Sequence, residues 1–156
     1  MNRLAASLAT CFGLGRVPFA PGTAASAVAL PIGWAIALLG GWETLVLFCV
    51  AVSVLGIWAC GRHARARGIE DPSECVIDEV AGQWIALIGV AMTGRLGDPG
   101  ALALAFVLFR FFDITKLWPI SRAERLPGGI GIMADDVLAG IFSALLVVLA
   151  AGLNWI

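Results

Sequence analysis

Between Ala24 and Gly61 the only charged side chain is Glu43. A helix that crosses the hydrocarbon core of a bilayer needs about 20 residues. Lipid offers the backbone no partners, so spanning segments are helices or closed barrels. The stretch predicts two spanning helices set back to back. One is Ala24 to Gly41, with Pro31 inside it, the other is Trp42 to Gly61, and Gly40-Gly41 is the turn between them. Composition agrees: the 156-residue chain is 60% hydrophobic and 13% charged, where a soluble domain averages roughly 45–50% and about 25%. Mean hydropathy is +0.95. An all-α, multi-pass transmembrane helical bundle follows, expected as a single domain over residues 1–156.

Three further apolar segments raise the count to about five spans. The third core, Val80 to Thr93, and the fourth, Ala101 to Phe112, are short by themselves. The third reaches spanning length by taking in Cys75 to Glu79, and the fourth by continuing through Asp113 toward Leu117. The fifth runs from Asp136 to about Trp155. Asp78, Glu79, Arg110 and Asp113 are therefore expected at the ends of spanning helices, near headgroup depth. Ionisable groups there are costly unless paired, hydrated or bound to something.

Basic residues orient such a bundle. With the N-terminus inside, all ten Lys and Arg except Arg95 fall on the cytoplasmic side, as do all eleven acids except Glu43 and Asp98. The inside loops are Arg62–Glu74 and Lys116–Ala134, and the outside connections, Gly40–Glu43 and Gly94–Pro99, are minimal. Met1 to Leu14 lacks a long apolar core and does not read as a cleaved signal peptide. Four cysteines without Cys-x-x-Cys spacing and a lone His63 leave no zinc site of ordinary spacing. Net charge of −1 singles out no partner; no nucleic acid is expected, and oligomeric state stays open.

Four constellations lie on the charged side. Gly13-Leu-Gly-Arg-Val-Pro-Phe-Ala-Pro-Gly-Thr23 is a glycine/proline-rich loop segment in which regular helix is disfavoured. Its amides and Arg16 suit a phosphate, and Thr23 suits capping the first span. Asp78-Glu79 opens the third span. Adjacent helix residues point about 100° apart, so Glu79, which shares a face with Gln83, is favoured over Asp78, which shares one with Gly82. Arg110, Asp113 and Lys116 recur every third residue along one helix side; an intrahelical ion pair with snorkelling cations is the plain alternative. Gly128-Gly-Ile-Gly-Ile-Met-Ala-Asp135-Asp136 is a glycine-rich approach to a helix, with Asp136 toward Gly140 and Ser143 and Asp135 as a cap. Together, carboxylates on three helix ends make a hard, all-oxygen set suited to magnesium, which keeps waters and bridges to substrate phosphate. Arg110, Lys116 and Arg16 add charge stabilisation for phosphoryl transfer.

On these residues the chain resembles the phosphatidylglycerophosphatase A family of bacterial membrane phosphatases. The likeness rests on the Gly13–Thr23 loop with its Pro-Gly-Thr, on Ile77-Asp-Glu-Val-Ala-Gly82, on Phe109-Arg-Phe-Phe-Asp-Ile-Thr-Lys116 with Trp118-Pro-Ile, and on Gly128–Gly140. It runs in matching order from about residue 10 to residue 145. The resemblance implies magnesium-dependent hydrolysis of phosphatidylglycerophosphate to phosphatidylglycerol and phosphate at the inner membrane, with the active site on the cytoplasmic side and membrane lipids as partners. On that reading Glu79, Asp113 and Asp136 bind magnesium, and Asp78 and Asp135 are catalytic or further ligands. Arg110 and Lys116, with Arg16 and Thr23, hold the phosphate. Direct attack by water and attack by an Asp nucleophile both fit the pattern.

Other classes fit less well. The Asp-Gly…Ala-Arg…Gly…Asp…Asp pattern of lipid–alcohol phosphotransferases is missing, one histidine is too few for histidine-based lipid phosphatases, and no Asp-x-Asp nucleophile motif occurs. A small ion or proton transporter would hold its acids near the midplane, and here they gather at one end. That transporter is the best rival outside enzymes, and a phosphatase for another lipid phosphate is the further alternative.

Overall fold

The computed structural model describes residues 3–156; Met1 and Asn2, part of the N-terminal stretch read above, lie outside the described residues. The regular structure among the described residues is helical throughout. Helix α1 (Arg3–Ala9) leads into a short 3-10 segment (Cys11–Arg16) interrupted at Phe12 and Gly13. There follow α2 (Pro21–Arg67), α3 (Ile77–Met92), α4 (Pro99–Thr115), the single turn α5 (Ile120–Ala123) and α6 (Gly129–Gly152). By length and composition α2 and α6 are apolar enough to cross a membrane. That is two helices, where the sequence suggests about five spans.

Gly41 resolves part of this difference. Its φ of 80° and ψ of 173° are not helical, and a side chain would disfavour that backbone. Helix α2 is thus two segments, 21–40 and 42–67, meeting where the Gly40-Gly41 turn is expected. Side-chain contacts give their directions. Along 21–40, Trp84 Nε1 of α3 donates to Ala29 O at 2.9 Å, and Trp34 Nε1 donates to Leu96 O, beyond the far end of α3, at 2.8 Å. Along 42–67, Cys49 Sγ donates to Ala81 O, Gly56 faces Ile77, and His63 reaches Glu74. The first segment runs with α3 and the second returns against it.

Helices α4 and α6 complete the packing around α3. Phe109 of α4 lies against Gly82, and Gly140 of α6 packs on the Gly82 carbonyl. A methyl group on either glycine would meet backbone oxygen, so the absence of side chains sets how closely α3 and α6 approach. Phe109, Leu87 and Leu45 are among the largest fully buried side chains. One end of the bundle gathers the start of α2, the start of α3, the end of α4 and the start of α6.

Several boundaries depart from expectation. Helix α6 begins at Gly129 rather than Asp136. Its glycines lie against the Ile57 and Leu126 carbonyls, so the run that reads as a loop is a tightly packed first turn, and Asp135 stands inside the helix rather than capping it. Helix α3 takes in Ile77, Asp78 and Glu79 but leaves Cys75 and Val76 outside, where the Val76 amide donates to Ala9 O at 2.9 Å. Thr23 does not cap α2, because the helix already starts at Pro21 behind a left-handed Ala20. Helix α4 continues past Asp113 but stops at Thr115, short of Leu117, where Lys116 turns left-handed, and it opens on an Asp98 cap whose carboxylate accepts from Gly100 N at 2.8 Å.

Gly140→Leu should cost about 1–3 kcal/mol of stability through overpacking, read as the thermal unfolding midpoint in detergent. Gly152→Leu, where nothing lies within 4 Å, should be near neutral. Equal effects would contradict the close α3–α6 contact.

Candidate active site

At the gathered end lies a cavity of about 360 Å³. The start of α2 contributes Ala20 to Thr23, the loop before α3 contributes Asp71, Ser73 and Cys75, and the remaining wall is Asp78, Glu79, Arg110, Asp113, Ile114, Lys116, Asp135 and Asp136. Eight of the nine residues singled out from the sequence therefore meet in one place. The ninth, Arg16, is exposed and outside this lining; it follows the left-handed turn at Phe12 and Gly13, and its charge falls on Glu74 instead.

Within the cavity, carboxylate oxygens of Asp78, Glu79 and Asp136 lie within 4.8 Å of one another. Asp78 thus stands in the tight cluster with Glu79, the acid that helix-face reasoning ranks ahead of it. Two flexible side chains at a helix start reach a common point although their Cβ bonds diverge. Asp113, grouped with Glu79 and Asp136 in the sequence reading, is beside Asp136, but its Oδ2 pairs with Arg110 Nη1, the donor, at 2.8 Å. The intrahelical ion pair and the site are one arrangement. Arg110 Nη1 also stands 3.8 Å from Glu79 Oε1 and donates to Ser26 Oγ at 3.4 Å. Gly22 is what admits Glu79: a Cβ there would collide with its carboxylate.

Lys116 occupies the left-handed cap of α4. Its Nζ donates to Asp135 Oδ2 at 2.9 Å and to Glu124 Oε1 at 2.6 Å. Asp135 Oδ1, Asp136 Oδ2, Glu79 Oε2 and Arg110 Nε are buried without a protein partner. Buried polar atoms are ordinarily satisfied, and four orphans around one cavity describe a pocket built to receive charge. An all-carboxylate trio fits a hard divalent cation such as magnesium, and the free guanidinium edge fits phosphate oxygens.

The loop that supplies Asp71, Ser73 and Cys75 is fastened from behind. His63 Nε2 donates to Glu74 Oε1 at 2.8 Å, and Arg67 Nε meets the same oxygen at 3.0 Å. Sequence reasoning missed this loop, as it missed Ser26 and Glu124. Glu70-Asp71-Pro-Ser73 offers only polarity as a signal, and the fastening pairs helix with loop across no regular spacing.

Sequence likeness to known proteins gives the family. Residues 7–151 match the family model described as phosphatidylglycerophosphatase A. A Bacteroides thetaiotaomicron protein, provisionally named phosphatidylinositol-3-phosphatase, is 41% identical over 92% of this chain and 91% of its own length. The phosphatidylglycerophosphatase A proteins of Escherichia coli and Haemophilus influenzae are 36% and 38% identical, over 88% and 90% of this chain and 77% and 84% of theirs. No solved structure matches significantly. These matches mark a phosphatase, and the chain is helical with a carboxylate-lined pocket. The chain belongs to the phosphatidylglycerophosphatase A family.

The His63 hydrogen bond, with Arg67 beside it, holds the Glu74 carboxyl below its ordinary value of 4.5 against the opposing effect of burial. A carboxyl lowered on folding adds stability above its unfolded value, and that stability is lost as pH falls through the folded value. Thermal stability should therefore drop more steeply below about pH 4.5 in the parent protein than in Glu74→Gln. Parallel acid profiles would refute the fastening.

Proposed function

We propose that this protein is a magnesium-dependent hydrolase of phosphatidylglycerophosphate, releasing phosphatidylglycerol and inorganic phosphate at the cytoplasmic face of the bacterial inner membrane. The observation that carries this reading is the convergence of Asp78, Glu79 and Asp136 beside Arg110 and Lys116 in one cavity. Family membership supports the substrate, and the names of the Escherichia coli and Haemophilus influenzae relatives point the same way.

The membrane placement rests on apolar length and basic-residue bias. The two segments of α2, together with α3, α4 and α6, would form a five-span bundle and one membrane-embedded domain. At 1.5 Å per residue, 16-residue α3 and 17-residue α4 are roughly 24–26 Å long. A hydrocarbon core is about 30 Å thick, so each falls a few Å short of it, and local thinning of the bilayer or snorkelling of the charged ends would bring those ends to the headgroups. The cavity would then sit where an inner-leaflet phosphomonoester lies, facing the side that the positive-inside rule makes cytoplasmic.

Asp78, Glu79 and Asp136 would hold the magnesium. The bound ion would neutralise phosphate oxygens and lower the pKa of water. Arg110 is kept in place by Asp113 and Ser26 and directs its free edge at the phosphoryl group, where charge develops in the transition state. Lys116 turns Asp135 by its Oδ2 and leaves Oδ1 free to accept a proton from attacking water. Asp135 is thus the favoured general base, while Asp78 moves from that role to metal binding. Thr23 offers its hydroxyl at the same wall.

Purified protein should release phosphate from synthetic phosphatidylglycerophosphate with magnesium and not after chelation; no release with any divalent metal would overturn the reading. Phosphatidylinositol 3-phosphate, prompted by the Bacteroides relative's name, is the comparison substrate, and preference for it would reassign the headgroup. Asp78→Asn and Asp136→Asn should raise the magnesium needed for half-maximal rate at least about tenfold, the smaller cost of losing even an outer-shell partner. Arg110→Lys should instead lower turnover at saturating magnesium, since it removes bidentate phosphate contact. The same magnesium response in all three variants would separate the trio from metal binding.

A further inference from the structure

Two segments bounding the cavity turn sharply and then expose large apolar side chains. On one lip, Ala20 lines the cavity in a left-handed conformation (φ 45°), and Phe19 just before it is 85% exposed. On the other, Lys116 lines the cavity in a left-handed conformation (φ 44°), and Trp118 two residues later is 74% exposed. Ile114, itself part of the lining, is 67% exposed. These side chains belong to segments that touch the reacting cavity and remain uncovered, whereas a core aromatic such as Phe109 is fully buried. Exposed Arg16 lies near Phe19 in sequence and exposed Arg122 near Trp118. Aromatic rings with interspersed basic residues are the composition of a membrane–water interface facing anionic lipid.

We infer that Phe19 and Trp118 form the two lips of a lateral mouth through which the cavity opens to the lipid interface, contacting the long acyl chains beyond the reach of a six-carbon chain while the phosphomonoester enters. This rests on the lipid phosphatase reading and adds the residues that select a lipid-borne phosphate over a soluble one. The occupant is lipid because these exposed apolar side chains adjoin in sequence Ala20 and Lys116, which line a cavity whose charge suits phosphate; acyl chains need never leave the apolar phase, and only the headgroup passes Ala20 and Lys116. Arg16 thereby gains a role at a neighbouring lipid headgroup, consistent with its position outside the cavity lining.

The test uses the full-length protein in mixed micelles, with two substrates: long-chain phosphatidylglycerophosphate and its water-soluble dihexanoyl counterpart below its micellar concentration. The double variant Phe19→Ser/Trp118→Ser should raise the surface KM for the long-chain lipid at least about tenfold, from the apolar area removed. It should leave kcat/KM for the soluble analogue within about twofold. Phe19→Leu/Trp118→Leu should restore the long-chain KM, which separates lost apolar contact from misfolding. Equal loss on both substrates, or no change on either, would overturn the inference. So would a change in oligomeric mass without a change in KM, which would assign the lips to a second copy of the chain. If the parent protein hydrolyses neither substrate with any divalent metal, the phosphatase reading fails first, and that result is distinct from failure of the lips.

Discussion

Three carboxylates whose oxygens lie within 4.8 Å of one another repel strongly when charged, and burial in a low-dielectric bundle sharpens the repulsion. Asp136 is 3% exposed and Asp78 8%, so water relieves little of it. The arrangement calls for positive charge. Arg110 supplies part, at 3.8 Å from Glu79, but Asp113 already engages it at 2.8 Å. Lys116 is likewise shared between Asp135 and Glu124. The resident cations are committed to the outer acids, and the inner trio keeps orphan oxygens on Glu79 and Asp136. A divalent ion and the phosphate it attracts would complete the balance.

Bringing those acids together is the task of the small residues. Gly22 makes room for the Glu79 carboxylate, and Gly82 and Gly140 let α3 and α6 approach through their backbones. Phe109 fills the space beside Gly82 from α4 and so fixes the turn of helix that carries Arg110. Core packing and site geometry are therefore the same contacts seen from two ends. The glycine spacing near the acids serves helix approach as much as loop flexibility.

Much of this was legible in the sequence, because apolar length and charge placement act over whole helices. The Gly41 break, the continuation of α4 beyond Asp113 and the gathering of acids at one end all follow from such long-range regularities. Finer assignments depended on local geometry that periodicity does not carry. Asp78 and Glu79 diverge at Cβ yet converge at their oxygens, which a helix wheel cannot register. The Gly128–Gly131 stretch looks like a loop by composition, yet helix begins at Gly129, and Gly129 and Gly131 are glycines because the Ile57 and Leu126 carbonyls leave no room for a side chain. Arg16 sits in a phosphate-like sequence context but outside the cavity lining, and the His63–Glu74–Arg67 fastening joins helix to loop with no repeat to reveal it.

The central claim is that Asp78, Glu79 and Asp136, rather than the set containing Asp113, hold a divalent cation. Manganese binding to the purified protein, followed by electron paramagnetic resonance, tests it without relying on turnover. The account predicts manganese binding that weakens in affinity at least about tenfold in Asp78→Asn and Asp136→Asn, is competed by magnesium, and persists in Asp113→Asn. Loss in Asp113→Asn with full binding in Asp78→Asn would contradict it.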